Sequence, residues 1–233
     1  DEAISLVNRS LSIRNKYSQI DSSMNTSIFL ARLYIQIGSY DESIKMLKNI
    51  LSIYEKEHGL DSVYSAYVLA ALGMLQTSTG LYPEAEKYFK KALSIYKKNP
   101  SAHPHKNLTE FLLAELYIEL GDFSKAELLI KKISEQAIEK INNKDYGTPP
   151  PITQILQVDS KRIEMARANI YYGTGKYLEA ESLYMRLLSK NEYGIEGPNS
   201  SVIRNKIACL NAKLGNDLKA LKFFKDAVKQ DDI

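Results

Sequence analysis

Three short stretches hold the residue types that could do chemistry. Gly173-Thr174-Gly175-Lys176 has the ending of a phosphate-binding loop. Such a loop needs a further glycine five residues before its Gly-Lys pair and a hydroxyl after it, to cradle phosphate and hold magnesium. Those positions are Ile170 and Tyr177, so the stretch reads as a turn. His103 and His105 flank Pro104, but zinc wants four ligands. The remaining imidazole and thiol, His58 and Cys209, belong to other parts of the chain, so the pair reads as loop. Cys209 has no histidine or acid placed by sequence to activate it. Asp and Glu number 28 and are scattered, without a general acid–base pair. The residues therefore imply no catalytic site, no metal and no cofactor.

The composition excludes other classes. The 233 residues are 44% hydrophobic and 25% charged, as in an ordinary globular chain. The net charge of +3 is too small and too evenly spread for nucleic acid to be the main partner. No uncharged apolar run is long enough to span a bilayer, so no membrane insertion is expected. A single cysteine forbids an internal disulfide and favours the cytoplasm or another reducing compartment. The sequence starts at Asp1, which reads as a fragment or a processed form. An organelle stroma would fit if a transit peptide had been removed.

The elements that would position any site come from an internal repeat. Gly38, Gly80, Gly121, Gly175 and Gly215 each close an apolar stretch and are followed by an aromatic residue or Leu. Five residues after each glycine stands a small side chain: Ser43, Ala85, Ala126, Ala180 and Ala220. The steps between glycines are 42, 41, 54 and 40 residues. Leu51 and Ile53 keep the same offsets from Ser43 as Leu93 and Ile95 from Ala85, and as Leu11 and Ile13 from Ala3. Each copy reads as two amphipathic helices joined at the glycine, with the small residue at their crossing. No run alternates with period two, so no strand is expected.

With these glycines, small residues and aromatics, the sequence resembles the tetratricopeptide repeat family. The first-helix small position of that family is met by Ala31, Gly73, Ala114, Ala168 and Ala208. The long period is similar to that of kinesin light chains, and so is the stretch Tyr193-Gly194-Ile195-Glu196-Gly197-Pro198 with Val202 and Asn205-Lys206-Ile207-Ala208. The resemblance implies an all-α, right-handed solenoid of about eleven helices. The expected parts are a leading helix over 1–18 and repeats over 22–58, 62–99, 105–142, 157–192 and 199–231. A proline-rich insertion over 143–156 takes up the long step. The last helix, from Leu218 to about Gln230, carries Leu221, Phe224 and Val228 as an apolar face.

The resemblance also implies a function: a non-catalytic adaptor or scaffold that binds a partner protein. The family lines its concave face with the first helix of each repeat. By column this gives Ile28, Arg32 and Ile35, then Ala70, Met74 and Thr77, then Phe111, Glu115 and Ile118. Arg162, Met165, Asn169 and Tyr172 follow, then Asn205, Lys206, Cys209, Ala212 and Lys213. The first half of this lining is apolar, with Met74 and Phe111 as adaptable contacts. The second half offers amides for a peptide backbone and cations for carboxylates. The expected ligand is an extended peptide, partly apolar and partly acidic. Arg32 and Met74 do not supply the Lys/Asn set of the chaperone-type clamp. Two other readings stand beside this one: a peptide-sensing regulatory domain of a larger protein, and an RNA-binding helical repeat.

Overall fold

The computed structural model describes Ser5, Arg9 and residues 20–99, 103–142, 160–189 and 198–228. Among these there are ten α-helices and no strand. They are α1 (Ile20–Gln36), α2 (Tyr40–His58), α3 (Val63–Ser78), α4 (Tyr82–Lys98) and α5 (His103–Glu119). The chain continues with α6 (Phe123–Asn142), α7 (Ser160–Gly173), α8 (Tyr177–Ser189), α9 (Pro198–Lys213) and α10 (Asp217–Val228). Ser5 and Arg9 are helical; the rest of the expected leading helix and the whole 143–156 insertion lie outside the described residues. The His-Pro-His stretch is helix, not loop: it forms the first turn of α5, with His105 packed between the rings of Tyr67 and Tyr96.

The glycines set the pairing of the helices. Gly80 has φ 76°, a left-handed conformation that side chains with a β-carbon rarely adopt. Its N–H donates to the Thr77 carbonyl at 3.1 Å, and the next N–H, of Leu81, to Gln76 at 2.8 Å. The last carbonyls of α3 are thereby satisfied while the chain reverses. The same pair of bonds recurs at Gly38, Gly121, Gly175 and Gly215.

The small residues bring the paired helices together. Ser43, Ala85, Ala126, Ala180 and Ala220 are all buried, as are Ala31, Ala114, Ala168 and Ala208 of the first helices. In the first repeat the two positions touch directly: the Ser43 hydroxyl donates to the Ala31 carbonyl at 2.9 Å. In the second, the Phe89 ring presses on Gly73 so closely that a β-carbon there would lie 2.6 Å from it.

The chain divides into two compact units, 1–116 with 150–157 and 117–149 with 158–233. In the first, Ile28 and Ile35 of α1, Leu47 and Tyr54 of α2, and Leu72 and Leu75 of α3 make one cluster. The other side of α3, with Ala66, Leu69 and Ala70, joins Ala92, Ile95 and Tyr96 of α4. Buried from both sides, α3 carries no charged residue between Val63 and Ser78. Each large side chain buried this way contributes about 1.5–3 kcal/mol.

In the second unit, Ala180, Tyr184 and Leu187 of α8 pack with Ile203, Ile207 and Leu210 of α9 and with Ala168 of α7. A polar bridge runs beside this core. The buried Asn211 amide donates to Glu181 at 2.8 Å and to the Ile207 carbonyl at 2.9 Å, and Lys219 reaches Glu181 at 2.6 Å. In α10, Leu221, Phe224 and Val228 are exposed.

Candidate peptide-binding face

The expected lining residues fare differently in the two units. In the first, Ile28, Ile35 and Ala70 are buried, and Phe111 is 0% exposed. Phe111 therefore presents no surface to a ligand in this conformation. Its ring, like the Ile28 side chain, was drawn into the core because a large apolar group gains more there than in water. Arg32, Met74, Thr77 and Glu115 are half-buried, with Met74 resting on the core cluster; Ile118, just inside the second unit, is half-buried too.

In the second unit the first helices α7 and α9 meet through Met165, Tyr172 and Lys213. Met165 and Tyr172 of α7 pack against the cluster that holds Ile203, Ile207 and Leu210 of α9. At one end, the Lys213 ammonium of α9 lies over the Tyr172 ring of α7, 5.6 Å from its centroid. The electron-rich ring face attracts the cation and ties the two helices across their exposed edge. Tyr177 meets the Tyr172 ring edge-on at 5.8 Å, which fixes its plane.

Asn169 is held from behind. The Tyr184 hydroxyl donates to its Oδ1 at 2.7 Å. With that oxygen engaged, the amide's remaining hydrogen-bonding capacity is its two N–H donors. Burial, with the neighbouring Tyr172 ring adding to it, pushes the Tyr184 hydroxyl above its ordinary value, so it stays a protonated donor. Asn205 is exposed on α9, and so is Cys209, a free thiol. Lys206 of α9 and Arg162 of α7 are half-buried.

The Tyr184 contribution was not anticipated from the sequence, although a signal existed. Nine residues after the repeat glycine the second helices carry Leu47, Phe89, Ile130, Tyr184 and Phe224, and Tyr184 alone has a polar tip. Among the described residues no group of His, Cys, Asp and Glu is arranged to hold a metal ion. None of the described helices is long and apolar enough to cross a membrane.

Comparison with known proteins settles the class of repeat. Two tetratricopeptide repeat models match, one over residues 22–98 and the other over residues 76–137. Residues 22–137 belong to the tetratricopeptide repeat family.

Solved structures extend the likeness beyond those segments. BtubC (BKLC) from P. vanneervenii matches with a TM-score of 0.67 at 16% identity, over 97% of this chain and 89% of that one. A Podosopora anserina kinesin light chain protein of nearly identical TPR-like repeats matches at 0.61 and 19%, over 90% and 95%. The apo form of RapI matches at 0.64 and 17%, over 97% and 75%. At these identities the likeness is one of fold: a tetratricopeptide-type solenoid of stacked helix pairs. No curated protein matches the chain. The family makes the chain a protein-interaction repeat module.

Proposed function

We propose that the chain is a non-catalytic adaptor or scaffold that holds an extended peptide segment of a partner protein on the concave, first-helix side of its repeats. The repeats run over 22–58, 62–99, 105–142, 157–192 and 199–231. The observation that carries this reading is the side-chain contact between α7 and α9, where Lys213 lies over the Tyr172 ring. Asn169, oriented by Tyr184, and the exposed Asn205 offer amides on neighbouring first helices. Amides hydrogen-bond a peptide backbone whatever its side chains. Lys206, Lys213 and Arg162 add positive charge for an acidic residue, and Met165 and Tyr172 add apolar surface. Arg32, Met74 and Glu115 would take further parts of the same segment, and Cys209 beside Asn205 suits a reducing compartment.

The test is Asn205→Ala combined with Lys206→Ala. Both side chains stand off the core, so helicity by circular dichroism stays that of wild type. Affinity for a partner captured by the wild-type chain falls at least tenfold. An unchanged affinity places the interface elsewhere, and recovery of RNA with a steep salt dependence replaces the reading altogether.

A further inference from the structure

The junction between α6 and α7 departs from the junctions that precede and follow it. Eight residues before the repeat glycine, the first helices carry Leu30, Leu72, Leu113 and Ile207, all buried. In α7 that position is Arg167, and it is exposed. Thirteen residues after the glycine, the second helices carry Leu51, Leu93 and Leu188, all half-buried. In α6 that position is Ser134. Two aliphatic columns thus turn polar together, on the two sides of one junction.

A pocket of about 260 Å³ opens there. Its floor is Ile130, Ile170 and the half-buried Tyr171, and its rim carries Arg167 and Glu127. Lys131 and Glu135, also at the rim, are paired with each other at 3.9 Å. Arg167 and Glu127 belong to none of the ion pairs or hydrogen bonds found among the described residues. The far end of the junction is closed: the Phe123 ring lies against Gly173, where a β-carbon would come within 2.0 Å of it. The pocket therefore has one fixed end. Helical periodicity puts Arg167 roughly opposite Met165, Asn169 and Tyr172 on α7, so this is not the peptide-binding face.

The charges select the ligand. A guanidinium fork fits a carboxylate or a phosphate. Lys131 and Glu135 offset each other, which leaves Glu127 to repel a doubly charged phosphate and attract an ammonium. The apolar floor takes an aliphatic or aromatic body. The volume falls below the roughly 300–1,000 Å³ of pockets for drug-sized ligands, which suits a single amino acid. We propose that this pocket binds a free apolar α-amino acid, its carboxylate on Arg167, its ammonium toward Glu127 and its side chain against Ile130, Ile170 and Tyr171.

Calorimetric titration of the full chain with L-leucine, N-acetyl-L-leucine and L-leucinamide tests this. Leucine binds saturably, and removing either charge weakens binding at least tenfold. N-acetyl-leucine binding as tightly as leucine overturns the proposal in favour of a peptide C-terminus. No saturable binding of leucine or phenylalanine at millimolar concentration overturns it outright. Arg167→Leu restores the aliphatic column, so it melts no lower than wild type while losing the leucine signal. A folded Arg167→Leu chain that still binds leucine refutes the assignment of the carboxylate site.

Discussion

Two neighbouring junctions of the second unit use the same columns of the repeat to opposite ends. Between α8 and α9, Ile207 is buried against Tyr184 and Leu187. Between α6 and α7, Arg167 holds the matching position and is exposed beside a pocket. The column six residues after the glycine diverges as well. Glu181 there is bound to Asn211 and Lys219, whereas Glu127 faces the pocket. The glycine turns are alike in both places, whereas α6 has 20 residues and α8 has 13. Within the shared columns three or four side chains differ, and they exchange close packing for an open pocket.

The strongest way to break this comparison is to move the arginine. Ile207→Arg forces a guanidinium into a fully packed site with no carboxylate provided, and uncompensated buried charge costs about 3–5 kcal/mol. Thermal unfolding should fall steeply or lose its cooperativity. A melting temperature near that of wild type would mean that the α8–α9 junction is no tighter than its neighbour.

A smaller change sharpens the role of the closed junction. Tyr184→Phe keeps the ring but removes the hydroxyl that orients Asn169. The lost hydrogen bond should cost about 0.5–1.5 kcal/mol by denaturant titration. Because the Asn169 amide then turns freely, partner affinity should drop as well. Lost stability with unaltered affinity would separate the junction from the peptide-binding face.

The smallest effect is acid-dependent. Burial raises the Glu181 carboxyl, but hydrogen bonds from Lys219 and Asn211 and the Lys219 charge outweigh it and hold the group below its ordinary 4.5. A carboxylate with a depressed folded-state value stabilises above its unfolded value, and the gain fades as pH falls through the folded one. Glu181 is half-buried but its Lys219 partner stands largely in solvent, which screens the pair, so the contribution is at most about 1 kcal/mol. Stability measured between pH 6 and about pH 3 should therefore decline slightly less in Glu181→Gln than in wild type. Parallel curves would show that the bridge to α9 carries no net energy.

The fold was legible because it depends on residues with few alternatives. Left-handed turns demand glycine and close crossings demand small side chains, so Gly80 and Ala126 announce themselves. The lining was less legible because a column fixes direction, not exposure. Ten residues before the repeat glycine stand Ile28, Ala70, Phe111, Met165 and Asn205. The first three are buried, Met165 is half-buried, and Asn205 is exposed. An apolar side chain in this column gains by turning into the core, whereas burying the Asn205 amide without partners would cost about 2–7 kcal/mol. The pocket at Arg167 is visible in the sequence too, but only as a polar break in the aliphatic column of Leu30, Leu72, Leu113 and Ile207.

The repeat turns have a stereochemical consequence. At Gly38, Gly80, Gly121, Gly175 and Gly215 a β-carbon would find nothing within 4 Å, yet φ is 73–79° at all five. What reserves these positions for glycine is handedness, not room. A residue of mirror-image chirality prefers that same region of backbone space. D-alanine would fit there without strain, and by restricting the unfolded chain it would favour the fold. The protein is thus built of L-amino acids interrupted, once per repeat, by a site that is sterically a D-residue's.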